Sequence, residues 1–163
     1  MILSKGSVHG IRAMIYLAGF PADQWLSTRD IARQLGIPLF YLGKIAQRLV
    51  RTGLLTASRG VQGGVRLGRP PTAITLMHLI MAIDGDDIFG QCVLGLAGCG
   101  HFRPCPVHDQ WMEIREQLVE MFRRTTLADL VAKIRRDGLR LTDADETVAF
   151  IVAPDDPVGP SLP

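Results

Sequence analysis

Three cysteines and one histidine fall within a short stretch as Cys92-x6-Cys99-x5-Cys105-x2-His108. Three soft thiolates and an imidazole can enclose a metal centre, and Gly95, Gly98, Gly100 and Pro104 let the intervening chain fold back on itself. Two inorganic readings compete: an iron–sulfur cluster, which takes thiolates and sometimes histidine, and a structural zinc of Cys3His type. Zinc knuckles usually place two cysteines about two to four residues apart. Neither cysteine gap here is that short, so the spacing favours a cluster over zinc. Cys99 and Cys105, flanked by small or polar residues, could also sense oxidants with no metal. The plain alternative is free cysteines in a loose loop, with His108 starting the next helix. Cys105 and His108 could mimic a nucleophile and its base, but three residues apart at a helix start they read as co-ligands. With no P-loop, no G-x-S-x-G elbow and no H-E-x-x-H, an enzyme is not expected.

A second constellation is cationic. The segment from about Leu39 to Thr52 repeats Leu42, Ile45, Ala46 and Leu49 at helical spacing, so Tyr41, Lys44, Gln47, Arg48 and Arg51 project from the other side. Laid in a major groove, such a helix would present cations and an amide to phosphates and base edges. Arg59, Arg66 and Arg69 continue the charge onto the next segment, where Gly60, Gly63 and Gly64 supply a tip that lets backbone amides approach phosphate closely. Arg29 and Pro38 complete the candidate DNA-contacting set. Gly43 stands inside the helix, where glycine costs about 1 kcal/mol against alanine; it either permits close approach to DNA or is a tolerated defect.

The elements that must position these residues follow from periodicity and punctuation. A first helix runs from Ser4 to Phe20 and ends at Pro21. A short second one starts at Ser27 or Thr28, carries Asp30 in its first turn and stops at Gly36. With the basic third helix it makes a helix-turn-helix. Leu54 to Leu67 reads as a β-hairpin, hence a wing, and after Pro70 and Pro71 a fourth helix spans Thr72 to Ile83 with His78 as a structural histidine. Asp84 to Pro106 is a long loop holding the cysteines, of a length that usually has a function. From Val107 to about Arg124 a long helix lines up Trp111, Ile114, Leu118, Met121 and Phe122, a stripe expected to form a dimer seam because half-site DNA readout uses two-fold symmetry. A shorter helix follows through Arg136. The expected fold is mainly α with a small β-hairpin: a winged helix-turn-helix at 1–83, a cysteine-bearing sensor loop at 84–106, a dimerisation helix and short helix at 107–136, and a C-terminal tail at 137–163, partly disordered.

Length and charge agree with this division. At 163 residues one domain plus an appended element is expected. The net charge of +2 conceals a split: residues 1–70 carry ten cations against two anions, net +8, and the rest eight against fourteen, net −6. The electropositive part is a candidate for a polyanionic partner. Lys5, His9 and Arg12 interrupt the apolar start, so no secretory signal is read, and no run approaches the roughly 18 apolar residues of a membrane span. A cytoplasmic protein without membrane association is expected.

The assembled motifs resemble the Rrf-two family of bacterial winged-helix regulators, including its IscR-like and NsrR-like members. The matching stretches are SKGSVHGIRAMIYLA, IARQLGIPLFYLGKIAQRLVRTGLL, SRGVQGGVRLGRPPTAITLMHLIMAIDG, CPVHDQW and TTLADL, spanning about residues 1–136. The resemblance implies a homodimer crossed by the long helix and bound to a palindromic promoter site on double-stranded DNA. It also implies a repressor whose [2Fe–2S] or [4Fe–4S] cluster senses redox state, nitric oxide or iron–sulfur status. By position, Cys92, Cys99 and Cys105 match the family's cysteine ligands and His108 the histidine ligand of the IscR type. NsrR-type members draw a carboxylate from the amino-terminal helix of the other subunit; here that position is Val8, which cannot ligate, beside His9. The first cysteine gap is one residue longer than in the IscR pattern, and Gly43 replaces an acidic specificity residue, so the operator need not be the same. The alternative is a zinc-stabilised or metal-free regulator controlled by thiol oxidation or a regulatory protein partner.

Overall fold

The computed structural model describes residues 3–60, 63–86, 89–97, 99 and 102–142. The tail from 143 onward and His101 lie outside the described residues. Among the described residues, six α-helices and one two-stranded antiparallel hairpin follow in the order α1 (Lys5–Ala18), α2 (Thr28–Leu35), α3 (Leu39–Arg51), β1 (Leu55–Ser58), β2 (Gly64–Leu67), α4 (Leu76–Asp84), α5 (His108–Arg124) and α6 (Leu127–Asp137).

Local chemistry sets most of the boundaries. The Ser4 and Ser27 side chains accept from the Ser7 and Arg29 backbone N–H groups at the starts of α1 and α2. Gly36 ends α2 in the left-handed region at φ 63°, which directs the chain sharply into α3. The fourth helix begins later than its periodicity suggests, because Pro71–Ala73 form a 3-10 turn and Thr75 is the cap. His78 completes that cap: its Nδ1 lies 3.1 Å from the Thr75 backbone N–H and its own N–H donates to Thr75 Oγ1. The histidine is therefore structural, as expected. Thr126 and Asp129 make the same reciprocal arrangement at α6.

The hairpin pairs Leu55 with Leu67 and Ser58 with Gly64. It is pinned to the loop before α2 by two backbone bonds between Leu26 and Val65, of 3.0 and 2.8 Å. A Cβ on Gly64 would stand 2.3 Å from the Leu26 carbonyl oxygen, so glycine there serves the close approach of two backbones.

The main core gathers Met14, Ile31, Leu35, Leu42, Ile45, Leu49, Leu79 and Leu127 from α1 to α4 and α6, with Ile74 from the segment just before α4. A smaller cluster joins Leu76 and Ile80 of α4 to Phe122 of α5. Between α1 and α4 the helices approach at Gly10, where a Cβ would lie 2.3 Å from Ile83 Cδ1. Arg12 ties α1 to the chain beyond α6 through the Leu141 carbonyl and to α2 through that of Leu35.

Candidate nucleic-acid interface and cysteine centre

The outer face of α3 is a stripe. With Leu42, Ile45 and Leu49 buried, the positions directly opposite are 40, 44, 47 and 51, spaced as i, i+4, i+7 and i+11. Phe40, Lys44, Gln47 and Arg51 are all exposed, and the Lys44 ammonium lies 4.4 Å from the centre of the Phe40 ring. Pro38 caps α3 without a side-chain hydrogen bond, and its carbonyl accepts from the Tyr41 and Leu42 backbone N–H groups. Arg29 is exposed at the start of α2.

Two residues expected on the outer face of α3 lie on its flank instead. Arg48 donates from Nη1 to the Ile83 carbonyl at the end of α4, 2.5 Å away. Tyr41 stands edge-on to His9 of α1, with ring centres 5.6 Å apart. The reason is angular: both positions sit about a quarter-turn from the middle of the outer stripe, on the side where α1 and α4 pack. Phe40 was not singled out by sequence, although its place in the 40-44-47-51 series was the available signal.

The wing carries Arg59 and Gly60 exposed and Gly60 at φ 107°, while residues 61 and 62 lie outside the described set. Gly63 closes the hairpin, since a Cβ there would meet the Ser58 carbonyl oxygen at 2.4 Å. Arg66 lies with its guanidinium 4.5 Å over the Trp25 ring, and Arg69 donates to the Thr52 carbonyl at the end of α3. Of these three cations Arg59 and Arg69 are exposed and Arg66 is half-buried, and Arg66 and Arg69 have contacts within the chain.

The four candidate ligands come together as two pairs. Cys92 Sγ is 3.7 Å from Cys105 Sγ, and Cys99 Sγ is 3.8 Å from His108 Nδ1. Cys92 and His108 are buried. His108 is the first residue of α5, and its backbone N–H donates to the Cys105 carbonyl, so the helix start itself carries one ligand beside another. Trp111 Nε1 donates to the Gln91 carbonyl and Phe89 packs 6.0 Å from Phe122, holding the loop onto α5. The Leu94 backbone N–H, aided by that of Leu96 and by the Cys105 and Cys99 side chains, holds the Cys92 thiol below its ordinary range against desolvation. His9 of α1 packs on Tyr41; burial, then Arg12 and Lys5, lower its pKa.

Two donors on one tetrahedral metal, with bonds of about 2.0–2.3 Å, stand roughly 3.5–3.8 Å apart. Each pair fits that spacing. Among the described residues no three such groups close around a single ion.

The loop leaves α4 at a bonded corner that sequence reading missed. Asp84, the last residue of α4, accepts from Ser4 Oγ at 2.6 Å and from Ser7 Oγ at 2.7 Å, and Ser7 is fully buried. A carboxylate at a helix C-terminus opposes the helix dipole, which is the signal that it has partners elsewhere.

The expected dimer stripe on α5 divides. Ile114 and Met121 are exposed, Trp111 and Leu118 are half-buried, and Phe122 is buried in the chain's own second cluster. Phe122 therefore does not belong to an open seam: α5 turns that side toward α4.

A family profile described as an iron-dependent transcriptional regulator, Rrf2, matches residues 3–133. The chain belongs to the Rrf2 family. The HTH-type transcriptional regulator IscR of Yersinia pseudotuberculosis is 32% identical over 130 residues, covering 80% of this chain and 78% of the relative. Among solved structures, CymR, the global cysteine regulator of B. subtilis, superposes with a TM-score of 0.68 at 27% identity over 80% of this chain and 95% of that one. IscR of T. potens does so at 0.66 and 25%, over 85% and 91%. This Rrf2 chain is accordingly a DNA-binding transcriptional regulator with the winged-helix fold of its relatives. Among its described residues no helix is long and apolar enough to cross a membrane.

Proposed function

We propose that this Rrf2 regulator is a cytoplasmic, homodimeric repressor of palindromic promoter sites whose DNA affinity is set at the cysteine loop by an iron–sulfur cluster. The observation that carries the reading is the pairing of Cys92 with Cys105 and of Cys99 with His108 at the spacing of two ligands on one metal. Cys92 and Cys105 would hold one iron, and Cys99 and His108 the other. When bound, such a cluster supplies a one-electron redox couple and a site open to oxidants and nitric oxide. The backbone N–H groups of Leu94 and Leu96 stabilise Cys92 as the thiolate, the form that ligates.

The chain's own residues connect the loop to the DNA face. Asp84 fastens the end of α4 to the start of α1, and Arg48 fastens it to α3. A shift of the loop that moves this corner also moves α3 relative to its counterpart in a dimer. A tenfold change in affinity requires only about 1.4 kcal/mol of differential binding. Lys44, Gln47 and Arg51, with Arg29 and Arg59, are the proposed contacts to DNA; Ile114 and Met121, with Trp111 and Leu118 beside them, are the proposed contacts between subunits.

Anaerobic reconstitution with iron and sulfide, followed by visible absorption and promoter binding, tests the reading. The expected result is a coloured protein with stoichiometric iron and sulfide and at least tenfold altered affinity, with colour lost on alanine substitution of Cys92, Cys99 or Cys105. A colourless protein that binds DNA identically with and without iron and sulfide would refute it. A second reading, thiol oxidation without metal, is favoured by the Cys92–Cys105 separation, which lies less than 2 Å beyond a disulfide bond of about 2.05 Å. Peroxide treatment of apoprotein with mass mapping of a Cys92–Cys105 bond separates the two, as does elemental analysis for a zinc-bearing form.

A further inference from the structure

We propose that Phe40 reads the methyl group of a thymine in the operator, with Gly43 beside it leaving room for the base edge. The inference rests on α3 being the helix that enters the major groove, and it goes beyond that reading by assigning a base and a residue. Phe40 is 75% exposed at the second position of α3, between Leu39 at 44% and Tyr41 at 37%, so the start of this helix presents a contiguous apolar patch. The amino-terminal residues of a recognition helix are the ones that meet base edges. The major groove presents one apolar feature, the thymine C5 methyl, and aromatic or small apolar side chains are its partners.

Three further observations make Phe40 fit this occupant. It shares its stripe with Lys44, Gln47 and Arg51, so whatever covers it must also neutralise cations, which a duplex does and an apolar protein surface does not. The Lys44 ammonium, 4.4 Å from the centre of the ring, brings a positive charge to the same contact. On the adjoining line of the helix a Cβ built at Gly43 meets nothing within 4 Å, so the fold does not require glycine there. An open glycine next to an exposed aromatic ring gives a step into which a base edge can enter.

The test starts by selecting binding sites for the full chain from a randomised duplex pool. Deoxyuridine is then substituted for each thymidine of the selected site, which deletes one methyl and nothing else. The expected result is a loss of about fourfold at one thymine per half-site, the weight of one buried methyl, and about sixteenfold when both halves are changed. Phe40→Ala and Phe40→Ser should lose this sensitivity while keeping the melting temperature and the salt dependence of the parent. An unchanged deoxyuridine profile in both variants, or a parent indifferent to every methyl, overturns the proposal. Arg51→Met run in parallel keeps the two readings apart: if it leaves the salt dependence untouched, α3 does not lie in the groove and the inference falls with it. If the salt dependence weakens but the Phe40 variants behave as the parent, only the assignment of Phe40 fails.

Discussion

Arg48 and Arg51 are one helical turn apart, both exposed and both cationic, yet the structure predicts opposite consequences when each is replaced. The Arg48 guanidinium donates to the carbonyl of Ile83, one residue before the end of α4, where the helix dipole is negative. A hydrogen bond from a charged group contributes about 1.5–3 kcal/mol, and the exposure of this flank places Arg48 at the lower end. Arg48→Met keeps the methylene stem and removes the charge, so a loss of about 1.5 kcal/mol is expected. At about 2–4 °C per kcal/mol for a chain of this size, that is a fall of roughly 3–6 °C in Tm. Arg51 has a free outward position, so Arg51→Met leaves Tm within about 1 °C and instead makes the plot of log affinity against log salt shallower. The change is about 0.9 for each phosphate no longer met, or about 1.8 across a two-fold assembly. Thermal melting and operator binding at several salt concentrations measure both quantities on the same samples. Should Arg48→Met flatten the salt plot as much as Arg51→Met while its melting temperature stays put, Arg48 meets phosphate and the strut argument is wrong.

Other outcomes follow from the same packing. Gly10→Ala gains about 1 kcal/mol of helix propensity but drives its Cβ to 2.3 Å from Ile83 Cδ1, an overpacking that costs about 1–3 kcal/mol. In an Ile83→Val background, which lacks that Cδ1, the same change should be milder by at least about 1 kcal/mol; equal effects in a double-mutant cycle by denaturant unfolding would contradict the contact. Gly43→Ala should raise Tm by about 2–4 °C, since nothing blocks its Cβ, while weakening operator binding if the glycine admits the base edge. Asp129 accepts from the Thr126 hydroxyl and backbone N–H, and these bonds hold its carboxyl below the usual range. A carboxyl with a lowered folded pKa stabilises above its unfolded value near 3.9 and loses that contribution as pH falls through the folded value. Melting profiles of the parent should therefore fall toward those of Asp129→Asn as pH drops below about 4, and parallel profiles would rule the cap out as the source.

The helices, the hairpin and the candidate ligand set were legible because each depends on residues near one another in sequence. Ser27 and Gly36 bracket α2, Leu42, Ile45 and Leu49 give α3 its period, and the three cysteines with His108 lie in a single stretch. Spacing also favoured a cluster over a zinc knuckle. What remained out of reach depends on contacts across the chain. The Asp84–Ser4 and Asp84–Ser7 bonds join residues about eighty positions apart, and nothing local to either end names the other. Helical period showed which side of α3 is buried but not which flank meets α4, so Arg48 and Tyr41 could not be told from Lys44 and Arg51 until the neighbouring helices were in place. Phe122 fell into an apolar stripe that sequence assigned whole to a partner, whereas the approach of α4 divides it. By itself the sequence determined which side chains this regulator offers as candidates for metal and for DNA, because side-chain chemistry and short-range periodicity are written residue by residue. Only the tertiary structure decided how those groups are paired and which cations are held inside the chain, because pairing is set by helices that meet in space and not in sequence.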